Sequence, residues 1–208
     1  MPAASAKSVR RQRAEETFTT AAECIGTVEP GMALFALTRG QFSMIDAILA
    51  CLDQVGPAAI SLWTWRVADY EIECIERLMA DRRVTGARLI IDTGARERDM
   101  ALLQKWHGLF GAGSIRLVRN HAKIATVEGG GFKLLLRGSM NLNFNPRFEQ
   151  FDVTEGGADF DMIREVEDGL DVLPLHCSAA DAAANSGLSK AWSDDQLTMF
   201  TGASPWRK

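Results

Sequence analysis

Arg119-Asn120-His121-Ala122-Lys123-Ile124-Ala125-Thr126-Val127-Glu128, then Gly129-Gly130-Gly131, then Phe132-Lys133-Leu134-Leu135-Leu136-Arg137-Gly138-Ser139-Met140-Asn141, carries the clearest pattern in the chain. His121 and Lys123 are two residues apart, so on a β-strand both project from one face, with Ala122, Ile124 and Thr126 on the other. The triple glycine supplies a turn in which positive φ is freely available, and the apolar run after it reads as the returning strand. In an antiparallel hairpin the end of that strand, Gly138-Ser139-Met140-Asn141, comes back beside His121 and Lys123. Imidazole, ammonium, hydroxyl and carboxamide then converge. Such a group of donors suits a phosphoryl group, with a nucleophile or acid–base already among them.

This pattern resembles the phospholipase D superfamily, whose signature is H-x-K-x4-D followed by G-S-x-N. Here the matching residues are His121 and Lys123, then Glu128 in place of the aspartate, then Gly138, Ser139 and Asn141. The gap before Gly138 is longer than the family usually has. The motif likeness covers residues 119–152, and the likeness of architecture extends over about 30–173. The resemblance implies catalytic roles for His121, Lys123, Ser139 and Asn141, a supporting acid at Glu128, and Glu149 as the carboxylate that hydrogen-bonds the histidine. It also implies a covalent phosphohistidine intermediate, with a second histidine protonating the leaving oxygen. Only one copy of the motif is present, so a complete site is expected to be shared by two chains across a two-fold axis. Short single-motif members of the superfamily are typically nucleases. The expectation is therefore a metal-independent endonuclease of DNA, and of RNA as well in its broader form, acting as a homodimer without a cofactor. The alternatives are a phospholipid or other phosphodiester hydrolase, and a DNA-binding protein that keeps the fold without turnover.

Charge distribution favours a nucleic-acid partner more than the total does. The chain carries a formal −4, yet between Lys105 and Arg147 there are seven basic residues and one acid, a net of +6 against −10 for the rest. Arg119, Lys133, Arg137 and Arg147 in this segment are the candidate substrate-binding residues, since a basic patch on an acidic body steers an anion. At 208 residues, with 47% hydrophobic and 24% charged residues, the chain can bury a sizeable core. No apolar run is long enough to span a bilayer and no apolar leader follows the first basic residues, so a cytoplasmic location is expected. Cys24, Cys51, Cys74 and Cys177 are scattered and form no C-x-x-C pair, which argues against disulfide or zinc roles. His107, at a helix end, and His176, in a loop, have no partner spacing. There is no H-E-x-x-H and no P-loop.

The rest of the chain reads as alternating strands and helices. Residues 1–28 are expected to be a flexible basic arm (1–12) and a short helix ending near Gly26; 29–175 form the catalytic domain; and 176–208 are a C-terminal extension with Trp192, Phe200 and Trp206. Strands are predicted at 32–38, 58–65, 87–92 and 114–118. Helices are predicted from a Ser43–Asp46 capping box, over 68–82 with Glu71 outward, over 96–107 ended by Gly108, and over 159–172 with Phe160, Ile163, Val166 and Leu170 inward. Residues 143–149 read as loop, and Phe151 and Val153 suggest one more strand. The run 58–65 is apolar on both faces, which belongs in the middle of a sheet. The order predicts an α/β fold: a phospholipase D-like α/β sandwich, with a mixed central β-sheet flanked by helices on both faces.

Overall fold

The structure is a computed structural model, and it describes residues 10–140, 142 and 146–185. Its centre is one mixed sheet of eight strands in the order β1-β2-β8-β7-β6-β3-β4-β5. The strands are β1 (Arg10–Arg13), β2 (Ala33–Thr38), β3 (Ala58–Thr64), β4 (Val84–Asp92), β5 (Ile115–Val118), β6 (Lys123–Gly129), β7 (Phe132–Gly138) and β8 (Glu149–Glu155). β3, β4 and β5 run parallel, as do β1 and β2, whereas β2, β8, β7, β6 and β3 pair antiparallel. The helices are α1 (Ala21–Ile25), α2 (Met44–Val55), α3 (Asp69–Ala80), α4 (Ala95–Arg98), α5 (Met100–Phe110), α6 (Ala158–Gly169) and α7 (Ala179–Asn185).

Alternation along each strand divides the interior in two. Leu34, Leu62, Ile91, Val127, Leu136 and Phe151 point to one face and form the main core with α1, α2, α3 and α5. On the other face Leu135, with partly buried Trp63 and Ile124, meets Phe160 and Ile163 of α6. β3 therefore has an apolar partner on each side, which is why its sequence lacks alternation. Here α6 is pinned by Glu167, which is fully buried and accepts hydrogen bonds from Ser61 Oγ at 2.5 Å, Trp63 Nε1 at 2.8 Å and Arg164 Nη1 at 3.0 Å.

Several boundaries follow the sequence signals closely. Ser43 and Asp46 form the reciprocal capping box that starts α2, and Thr20 with Glu23 does the same for α1. The β6–β7 hairpin turns on Gly130 and Gly131, with φ of 58° and 84°; a Cβ on Gly130 would collide with the Val55 carbonyl oxygen. This pair of left-handed residues is what a two-residue hairpin turn requires.

Other expectations are corrected. Arg10, Arg11 and Gln12, within the 1–12 stretch read as a flexible arm, pair with β2 together with Arg13 as a short edge strand. Glu71 is not outward: it is 2% exposed and accepts from Ala68 N at 2.7 Å, closing the start of α3 where alanine offers no cap. Its carboxyl is shifted upward by burial. The 96–107 helix is broken at Asp99 into α4 and α5, and α5 continues through Gly108 to end at Gly111, whose φ of 82° suits a C-cap. Val166 is exposed rather than inward, and Glu167 beside it takes the buried position. Trp192, Phe200 and Trp206 lie outside the described residues.

Candidate active site

Pairing directions bring one end of every central strand to the same edge of the sheet. The C-terminal ends of β2, β3, β4, β5 and β7 lie there with the N-terminal ends of β6 and β8. Lys123 opens β6 opposite Gly138 of β7, and Gly138 in turn opposes Phe151 of β8. A Cβ on Gly138 would strike the Gln150 carbonyl oxygen, so glycine lets β7 and β8 close tightly at this point. Ser139 follows directly. Its hydroxyl donates to Glu149 Oε2 through a short contact and accepts from Gln150 N at 3.0 Å.

His121 stands in the four-residue link (119–122) between β5 and β6 rather than on the strand itself. Lys123 nonetheless folds back onto it: Nζ donates to the His121 carbonyl oxygen at 2.8 Å and lies 3.1 Å from the ring Nδ1. An ammonium has donors only, so the nitrogen facing it presents a lone pair. Partial burial lowers the Lys123 pKa, and the charge of Glu149 opposes that shift. Imidazole, ammonium, hydroxyl and carboxylate thus come from three neighbouring strands to one place. Asn141 lies outside the described residues.

The link carrying His121 is held by Asn120, which is 7% exposed. Asn120 Nδ2 donates to Thr64 O at 3.1 Å and Ile90 O at 3.4 Å; its Oδ1 accepts from Ala122 N at 2.8 Å; its own N–H donates to Asp92 Oδ2 at 3.0 Å. One carboxamide therefore ties the ends of β3 and β4 to the backbone on the far side of His121. Trp65, just past β3, packs its ring against the imidazole with centroids 6.0 Å apart. Trp65, Asp92, Arg119, Asn120 and His121 line an open cavity of about 370 Å³. Neither Asn120 nor Trp65 was legible as a site residue, because each acts through strands distant in sequence.

Other expected site residues are dispersed. Glu128 is not brought to the site: it stands five residues along β6 from Lys123, roughly 17 Å at strand rise, and lies 3.9 Å from Arg164 Nε. Lys133 pairs with Asp161 at 3.1 Å and Arg137 with Asp159 at 2.8 Å, both on the α6 side of the sheet. Lys105 lies near Glu73 and Glu76. Much of the basic excess between Lys105 and Arg147 is thus met by acids from elsewhere in the chain. Arg119 and Arg147 are exposed, and Arg119 is at the cavity. His107 lines a different recess, with Ile115 and residues 172–175.

Among the described residues no group of three or more His, Cys, Asp and Glu side chains is placed to hold a metal ion, and no helix is long and apolar enough to cross a membrane. No protein-family model matches the chain, and no curated protein matches it in sequence.

Proposed function

We propose that the chain is a phosphodiesterase of the phospholipase D type, acting on nucleic acid, with DNA as the first substrate to test. The observation that carries this reading is the meeting of His121, Lys123, Ser139 and Glu149 at one edge of the sheet. His121, Lys123 and Ser139 match the motif in type and in order, and Glu149 joins them from the next strand. In this reading a ring nitrogen of His121 attacks phosphorus, forming an N–P bond as the P–O bond to the leaving group breaks. Lys123 and the Ser139 hydroxyl lie where charge develops on the phosphoryl oxygens. Water then attacks the phosphohistidine, breaks the N–P bond and restores His121.

The leaving oxygen needs a proton, and the motif supplies one histidine per chain. A second His121 from a two-fold-related copy fills that role, which makes the working unit a homodimer with a shared site. A mixed α/β chain built on one eight-stranded mixed sheet is compatible with this reading. Because the nucleophile is an imidazole rather than a metal-bound hydroxide, turnover is expected in excess EDTA. The test is cleavage of single- and double-stranded DNA under that condition by the intact protein and by His121→Ala.

A further inference from the structure

Two exposed aromatic rings flank the His121–Lys123 edge, one on each side, and each carries an arginine. Trp65, after β3, is 37% exposed and has the Arg98 guanidinium carbon 4.6 Å from its ring centre. Phe148, before β8, is 57% exposed and has the Arg39 guanidinium carbon 4.8 Å from its ring centre. The core leaves both rings outside, at the edge of the sheet that carries His121 and Lys123. In the sheet order β8-β7-β6-β3 they stand three strand spacings apart, roughly 14 Å. His121, Lys123 and Ser139 lie between them.

We infer that Trp65 and Phe148 are base-stacking platforms for a single-stranded nucleic acid, gripping the unpaired bases on either side of the phosphate held at His121 and Lys123. Every base has a π-face, so an aromatic ring binds it with little regard to sequence, and guanidinium planes stack on bases or take the neighbouring phosphate. A duplex keeps its base faces stacked internally and offers none to a ring at the surface. The cavity beside His121, walled by Trp65 on one side and Arg119 on another, gives one such base a place to sit next to the attacking nitrogen. Arg39 and Arg98 come from outside the basic segment of the sequence; Arg39 also pairs with Glu15 at 3.3 Å, which leaves its guanidinium carbon over the Phe148 ring. The inference rests on the phosphodiesterase reading for what lies between the two rings.

The experiment is a set of binding titrations, followed by fluorescence anisotropy, at low salt with EDTA. The probes are a short mixed-sequence single-stranded oligodeoxynucleotide with cleavage-resistant phosphorothioate linkages, the same strand made abasic, and the corresponding duplex. Intact protein is expected to prefer the single strand with bases. Trp65→Ala and Phe148→Ala are each expected to weaken that binding by about 5- to 150-fold, the loss that follows from removing one stacked base, while leaving the abasic strand and the duplex unaffected. Trp65→Phe is expected to retain most of the binding, and matching melting temperatures exclude misfolding. The inference is overturned if the alanine variants bind the single strand as well as intact protein does, if the losses are equal on the abasic strand, or if intact protein binds no nucleic acid. Base-dependent binding without any cleavage in EDTA would sink the hydrolytic reading and keep the platforms. Cleavage with no dependence on the rings would do the reverse.

Discussion

At the scale of single residues, Lys123 is held partly desolvated beside a histidine, an arrangement that the fold alone does not reward. Burial lowers its pKa and Glu149 only opposes this, so its charged form is less stable in the folded chain than in water. Below the depressed folded pKa, the cost of the partly desolvated ammonium is fully present; it fades as pH rises through that pKa toward the ordinary 10.5 of the unfolded chain. Lys123→Met is therefore expected to raise the melting temperature at neutral pH by roughly 1–3 °C, an advantage that shrinks above the folded pKa, while abolishing turnover. A thermal melt across pH checks this, and a destabilised variant at pH 7 would refute it. His121, Lys123, Ser139 and Glu149 were readable because a hairpin and its next strand bring them together within thirty residues. Asn120 and Trp65 were not. Their roles depend on β3 lying next to β6, a pairing between residues about sixty apart that no local pattern announces.

At the scale of elements, the periodicities placed nearly every strand and helix, and the failures share a cause. A period reports which positions face inward but not whether a polar side chain there finds a partner. Glu71 and Glu167 both occupy buried helix positions that composition assigns to solvent, because a backbone N–H awaits one and several side-chain donors await the other. Glu167 also receives Arg88 Nη1 at 3.3 Å, so α6 is fastened to β3 and β4 by one carboxylate. Glu167→Ala is expected to cost about 3–5 kcal/mol, since it strands buried donors and a partly buried guanidinium. Glu167→Gln is expected to cost less. Urea unfolding measures both, and a loss below about 1 kcal/mol for the alanine variant would mean that the network contributes little. The edge strand β1 escaped detection for another reason. Arg-Arg-Gln-Arg has no strand signature of its own, and its backbone is ordered by β2 beside it.

At the scale of the whole molecule, the order of strands does what no segment does alone: it gathers seven strand ends at one edge and places the candidate nucleophile near the middle of them. That order came only partly from the sequence, which gave the alternation of elements and the hairpin but neither the crossing from β5 to β6 nor the insertion of β8 beside β2. A site completed across a two-fold axis requires two copies, so sedimentation is expected to give twice the 22.8 kDa of one chain; a monomer with full activity would contradict the shared site. The most direct measurement of the central claim is cleavage of single-stranded DNA in excess EDTA by the intact protein beside His121→Ala. Cleavage by the first and none above background by the second is the expected result. Cleavage that persists in His121→Ala, or none by the intact protein, would contradict it.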